Sequence, residues 1–260
     1  MVMNLTYIDS HAHLSGEALF PESDSILERA RAAGIERIVN ICTDVESLRN
    51  GLMLSEKYPE VVNVGCTTPH DVEKEGESSF SAFANAARGG HLKAIGETGL
   101  DYHYLHSARE IQKNFLKKYL ALAIECDLPV VFHCREAFED LFSITDKIYL
   151  GKPATLHCFT GTADEANEVI RRGWMISFSG ILTFKKSESL REIAKKAPLS
   201  QILIETDAPY LAPQSHRGKT NEPSFLPETA ACLAAVKGIS LSEVARATAD
   251  NARQFFRLHK

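Results

Sequence analysis

The stretch Tyr7–Gly16, YIDSHAHLSG, decides how the fold is read. An apolar opening run ends here in two histidines separated by one alanine. Positions i and i+2 of a strand share a face with Cα atoms ~6.5 Å apart, so His11 and His13 can aim both imidazoles at one point. That geometry suits a metal ion held at ~2.0–2.1 Å by neutral ring nitrogens. A polar pair at a solvent-facing strand end would look the same at this stage.

Working outward, short β-branched runs alternate with helical patterns along the whole chain. The expected strands are LTYID, RIVNIC, VVNVGC, LKAIGE, LPVVFH, PATLHC, WMISFS and QILIET. Helices are expected over PESDSILERARAAG, DVESLRNGLMLSEKYP, the segment from Ala108 to Asp127, and TADEANEVIRRG, the last capped by Thr162 and stopped by Gly173. Near-continuously apolar strands separated by helices describe a parallel sheet covered on both faces. Such a sheet is either doubly wound or closed into a barrel. A Rossmann-type sheet carries a Gly-rich turn after its first strand, and here that position reads His-Ala-His. The expectation is therefore α/β, a (β/α)8 TIM-type barrel forming a single domain over residues 1–260. FLPETAACLAAVKG and SLSEVARATADNARQFF, about 225–257, are expected as C-terminal helices on its outer wall.

A barrel places its working residues at the C-terminal ends of its strands. The first run ends in Asp9, His11 and His13, the fourth in Glu97, the fifth in His133, the sixth in His157 and the eighth in Asp207. One histidine after a strand is ordinary. Five of eight units ending in ligand-type residues, all converging on one mouth, point to bound metal.

Composition narrows the class of protein. The 260 residues include 44% hydrophobic and 24% charged, with formal net charge −5. That balance argues against a protein that coats nucleic acid through a broad basic face. It leaves room for an enzyme that grips one end of a polyanion through bound cations. No apolar run reaches the ~18 residues of a membrane span, and MVMNLTY lacks the features of a secretory leader, so a cytoplasmic location with no membrane partner is expected. The six cysteines are scattered without a C-x-x-C pair. They read as packing residues rather than a disulfide framework. Cys134 and Cys158, each following a histidine, read the same way in preference to thiolate ligands.

DSHAHL, GETGLDYH, FHCREA, HCFTG and ETDAPYLAP…HRGKTNEP, in that order between residues 9 and 223, resemble the signature blocks of the TatD family of metal-dependent deoxyribonucleases. The resemblance extends to the C-terminal NARQFF. It implies an amidohydrolase-like barrel with two divalent metal ions (Mg, Mn or Zn). By position, His11, His13 and Asp207 resemble ligands of the first metal and His133 and His157 those of the second, with Glu97 bridging. Two dications ~3.5–4 Å apart stabilise both attacking and leaving oxygens of a phosphoryl displacement, and a bound water is activated. Asp207, with Glu97, is the expected catalytic carboxylate, orienting that water or taking its proton. The implied reaction removes nucleotides from the 3′ end of single-stranded DNA, with no stable protein partner. The alternative is a metal-dependent amide or ester hydrolase, such as an aminoacyl-tRNA deacylase, since fold alone does not settle substrate. Relatives of that kind often bridge their metals with a carboxylated lysine, where this chain has Glu97. A third reading, a binding protein with a vestigial centre, predicts a broken ligand set, and all six positions are filled.

Further residues are candidates for the substrate. His216, Arg217 and Lys219 in SHRGKTNEP are placed to hold phosphate. Arg135 serves either a phosphate or a barrel carboxylate. Asp101 and His103 either orient ligands or touch substrate. Tyr104 is a candidate stacking surface, Tyr102 a packing residue. Many TatD members carry Gly-x-His-Pro-His after the third strand. This chain has Gly65-Cys-Thr-Thr-Pro-His70, with one extra residue and Thr68 in place of the first histidine. His70 keeps the second position, and the departure bears on substrate contact. Lys185-Lys186 reads as a solvated helix entry.

Overall fold

A computed structural model describes residues 5–258. The opening residues 1–4, read above for a leader, and His259, for which no role is expected, lie outside that range. Eight strands run in chain order around one sheet: β1 (Tyr7–Ala12), β2 (Ile35–Cys42), β3 (Val61–Gly65), β4 (Leu92–Asp101), β5 (Val130–Arg135), β6 (Ala154–Leu156), β7 (Met175–Phe178) and β8 (Ile202–Ile204). Every neighbouring pair is parallel. A parallel bridge between Ala12 and Ala208 brings the last strand back to the first and closes the barrel. The first strand starts two residues later than LTYID and runs through His11. The fourth continues past Glu97 to Asp101, so GETGLD is strand as well as strand end.

Helices α1 (Ser23–Ala32), α2 (Val45–Lys57), α3 (Val72–Arg88), α4 (Arg109–Glu125), α5 (Phe138–Ile148), α6 (Ala163–Arg171) and α7 (Glu188–Lys196) alternate with the strands. Local chemistry sets their starts. Asp44 and Thr162 each accept the backbone N–H three residues on, and the side chain there, Ser47 or Glu165, returns the bond. Pro21 opens a short 3-10 turn ahead of α1 rather than α1 itself, and Gly34 takes the left-handed φ of 85° that ends the unit.

Alternation along the strands divides the core in two. Outward side chains such as Tyr7, Ile38, Ile95, Phe132 and Ile204 pack under the helices. Inward ones, Ile8, Val39, Ile41, Val64, Ala94, Val131 and Leu203, form a second cluster inside the barrel. The two C-terminal helices part company over this division. Helix α8 (Leu226–Lys237) lies against α7 and the barrel wall. Helix α9 (Leu241–Phe255) departs from the outer-wall expectation: its Ala249, Ala252 and Phe255, with Phe256 and Leu258 beyond it, join the inward cluster. Asn251 donates to the carbonyls of Leu199 and Ile202 ahead of β8, and Arg253 pairs with Glu36 at the start of β2. The helix therefore crosses the N-terminal end of the barrel and plugs it. An apolar stripe at helical spacing indicates that a face is buried without saying which surface buries it.

Candidate metal centre

At the opposite end, the strand termini bring the six expected ligand residues to one place. His11, fully buried on β1, and His13, one residue past it, approach with Nε2 atoms 3.3 Å apart. Asp207 reaches them from beyond β8, with Oδ1 3.6 Å from His11 Nε2 and 3.5 Å from His13 Nε2. Glu97 Oε2 completes the group at 3.5 and 3.7 Å from the same two nitrogens. These separations are nearly equal. Each carboxylate oxygen thus stands within about one coordination shell of both ring nitrogens, and zinc binds such nitrogens and oxygens at ~2.0–2.2 Å. The two imidazoles with either carboxylate oxygen make a compact trio of the donor types that hold a divalent cation.

The other oxygen of Glu97 belongs to a second group. Oε1 lies 2.9 Å from His133 Nδ1 and 2.8 Å from His157 Nε2, and those nitrogens are 3.3 Å apart. Three donors on one side leave the remaining positions of a second cation open to water or substrate. One carboxylate therefore offers an oxygen to each group. Among the described residues no donor group of this kind includes a cysteine. All six cysteines are free, and burial beside Asp207 and Glu205 pushes the Cys158 thiol well above its ordinary range.

Local backbone geometry makes the convergence possible. Asp207 sits at φ 58°, a left-handed conformation that a non-glycine residue holds only where its surroundings fix it. Asp9 supplies that restraint: its fully buried carboxylate accepts from Thr206 N–H at 2.9 Å and Thr206 Oγ1 at 2.6 Å. Asp9 thus braces the end of β8 and joins neither donor group. Gly99, at φ 148°, lets β4 press onto β5, since a Cβ there would lie 1.9 Å from the His133 carbonyl oxygen.

Two carboxylates stand behind the second group. Asp101 Oδ2 accepts from His133 Nε2 at 2.8 Å, while its Oδ1 accepts the N–H groups of His103 and Tyr104. Burial raises the Asp101 carboxyl, but His133 and the Tyr104 amide outweigh it and bring it to about 2. The proton on His133 is thereby directed to Nε2, leaving Nδ1 a bare donor facing Glu97. Glu205, fully buried, sits 3.5 Å from His157 Nδ1 and accepts Cys158 N–H at 2.6 Å. Sequence reading flagged Asp101 and passed over Glu205, whose signal was a carboxylate two residues before Asp207 in a strand end otherwise apolar. Burial likewise raises Glu97, yet His157, His11 and His133 hold it well below the ordinary carboxylate range. The pocket is thus built to keep Glu97 ionised.

The donor groups open into a cavity of about 740 Å³ lined also by Thr43, Thr68, His70, Tyr104, Arg135 and Tyr210. Arg135 has no carboxylate partner among the described residues. Its guanidinium lies 4.8 Å from the centre of the Tyr104 ring instead. Tyr104 also stacks with His106, at 5.5 Å and 4° between planes. The Tyr104 ring is thus engaged by both Arg135 and His106. Thr68 turns its hydroxyl to Asp71 at 3.1 Å, and His70 faces the cavity edge-on to His133. Two expected substrate residues are drawn elsewhere. His103 binds Glu136 at 2.7 Å, and His216 binds Glu228 at 2.6 Å while stacking on Phe225. Each spends its imidazole on a carboxylate outside the cavity lining. Arg217 and Lys219 are exposed on the rim beyond that lining. Tyr102 hydrogen-bonds Asp140 and packs, as expected.

An eight-stranded α/β barrel with this donor set at its C-terminal mouth defines a metal-dependent hydrolase. The family model described as TatD related DNase matches residues 8–257, and the chain belongs to that family. It is 35% identical over 254 residues to an uncharacterized metal-dependent hydrolase, YabD, of Bacillus subtilis, covering 96% of this chain and 99% of the relative. It is 35% identical over 259 residues to a 3′-5′ ssDNA/RNA exonuclease, TatD, of Erwinia tasmaniensis, again covering 96% and 99%. Among solved structures, YjjV, a TatD homologue from Escherichia coli k12, superposes with a TM-score of 0.92 at 27% identity over 99% of this chain and all of that one. Among the described residues no helix is long and apolar enough to cross a membrane.

Proposed function

We propose that this hydrolase is a 3′-to-5′ exonuclease of single-stranded DNA that works with two divalent cations. The observation that carries the proposal is the shared carboxylate of Glu97, with one oxygen in a four-donor group and the other in a three-donor group. Bound there, divalent cations would supply charge for a phosphodiester in displacement and lower the pKa of an attacking water.

The side chains divide the remaining work. Asp207 turns Oδ1 to His11 and His13, leaving Oδ2 to orient the water and take its proton. Arg135, spread on Tyr104, is the guanidinium available to a phosphate or base inside the cavity. His70 faces the same space from the loop after β3. A mouth of this size suits a strand end, and the chain's net charge of −5 argues against duplex coating.

The test uses a 5′-labelled single-stranded oligonucleotide with metal-stripped protein and added Mg²⁺, Mn²⁺ or Zn²⁺, and an Asp207→Asn variant alongside. A ladder shortening from the 3′ end, lost in the variant, supports the proposal and ranks the metals. Hydrolysis of ester or amide substrates with no cleavage of the oligonucleotide under any metal overturns it.

A further inference from the structure

The sequence separates Lys185-Lys186 from Arg217 and Lys219 by some thirty positions, but the fold laces their loops into one rim. β7 is followed by a 3-10 turn, Gly180–Thr183, and then by the two lysines ahead of α7. The loop after β8 lies directly on that turn. Gln214 N–H donates to Thr183 Oγ1 at 2.8 Å, and Lys185 N–H donates to Gln214 Oε1 at 3.4 Å. The Arg217 guanidinium rests 4.3 Å above the centre of the Phe184 ring. Gly180 permits the close approach, since a Cβ there would stand 2.2 Å from the Leu211 carbonyl oxygen. Arg191 fixes the lysine loop from below, donating to the carbonyls of Leu182, Phe184 and Lys185.

The rim gathers four cations without carboxylate partners beside the cavity. Elsewhere Arg29, Arg31, Lys57, Arg88, Lys118, Arg253 and Arg257 are each paired with a carboxylate. Among the described residues Lys185, Lys186, Arg217 and Lys219 have no such partner, and all four are exposed. Glu228, an acid on this side, is occupied by His216 and Ser215. The rim adjoins the metal mouth because Ile181, Tyr210 and Leu211, from the same two segments, line the cavity.

Resting on the nuclease reading above, we infer that this β7–β8 rim binds the phosphodiester backbone of the substrate strand away from the bond being cut. Four unpaired cations on a fixed scaffold recognise a run of phosphates, and they do so without reading sequence. The rim makes the enzyme favour strands long enough to reach it. In an otherwise acidic chain it supplies the electrostatic attraction that the whole molecule lacks.

The test measures binding of a 5′-fluorescein dT12 carrying phosphorothioate linkages to metal-loaded protein as salt is varied. A Lys185→Gln, Lys186→Gln variant is compared with wild type. Losing two single-strand phosphate contacts flattens the slope of log K against log salt by ~1.4 and weakens low-salt binding about 3–30-fold. A control variant, Lys147→Gln with Lys152→Gln at the plugged end, carries the same change in net charge. A flattened slope in the rim variant alone supports the inference. Equal slopes and affinities in the rim variant and wild type overturn it, as does equal flattening in both variants. Cleavage of ordinary dT12 and of bis(p-nitrophenyl) phosphate is measured separately, so a failed rim and a failed nuclease reading give different results.

Discussion

Replacing Asp101 with Asn should disable one cation site and leave the other intact. Asp101 Oδ1 is held by the N–H groups of His103 and Tyr104 at 3.0 and 2.8 Å, so the asparagine oxygen must stay there and its NH2 must face His133. Two donors then meet at 2.8 Å across the former Oδ2–Nε2 bond. The clash is relieved when His133 moves its proton to Nδ1, which faces Glu97 Oε1 at 2.9 Å. A protonated Nδ1 cannot ligate, so the group of Glu97, His133 and His157 loses one of its three donors. Loss of such an orienting partner weakens metal binding ~10–100-fold, or about 1.4–2.7 kcal/mol. Calorimetric titration of Mn²⁺ into metal-stripped protein resolves the sites. Wild type should bind two equivalents, and the variant should weaken only one of them, with unchanged circular dichroism. Both affinities within twofold of wild type would refute the tautomer argument, and equal weakening of both sites would refute the division into two groups.

Three other perturbations test separate parts of the structure. Glu205→Gln keeps an acceptor for Cys158 N–H but removes the charge beside His157, so Mn²⁺ affinity should fall roughly tenfold, with metal-free stability moving by less than the metal-bound value. Phe256→Ala removes a fully buried ring from the plug under the barrel, which should cost about 3–5 kcal/mol and lower Tm by roughly 6–20 °C; a change under 2 °C in a thermal melt would show that α9 does not stabilise the barrel floor. Arg135→Lys keeps the charge but gives up the flat guanidinium over Tyr104, so KM for an oligonucleotide should rise about 5–20-fold with kcat little changed; an equal fall in kcat would place Arg135 in the chemical step instead.

The barrel was legible because its strands are buried on both sides and therefore read as apolar runs, and because parallel neighbours require a helix between them. What escaped was the placement of elements whose burial is not declared by their own pattern. Helix α9 has the amphipathic stripe of a wall helix, yet the inward faces of β1, β2 and β8 are what it covers. Nothing in Ala249, Ala252 or Phe255 distinguishes a barrel floor from a barrel wall. The end of β4 was lost for a similar reason: polar residues after Glu97 looked like a loop, whereas Thr98 and Asp101 are buried against β5.

The donors themselves stood out because each closes an apolar run, a position where chance seldom places histidine or carboxylate repeatedly. Residues that act through a donor can close an apolar run as well, and that position does not separate them from the donors. Glu205 and Asp9 are known by what they touch, His157 in one case and the end of β8 in the other. The same limit explains His103 and His216, whose motif positions suggested substrate while Glu136 and Glu228, more than ten positions away along the chain, hold their rings. It explains the lysines as well. Lys185 and Lys186 look like an ordinary charged helix entry until Gln214 and Arg217 are seen lying across Thr183 and Phe184, and charge that is unremarkable along the chain becomes a concentrated rim beside the cavity. Chemistry that depends on one side chain can therefore be read from sequence, whereas chemistry that depends on which side chains meet requires the fold.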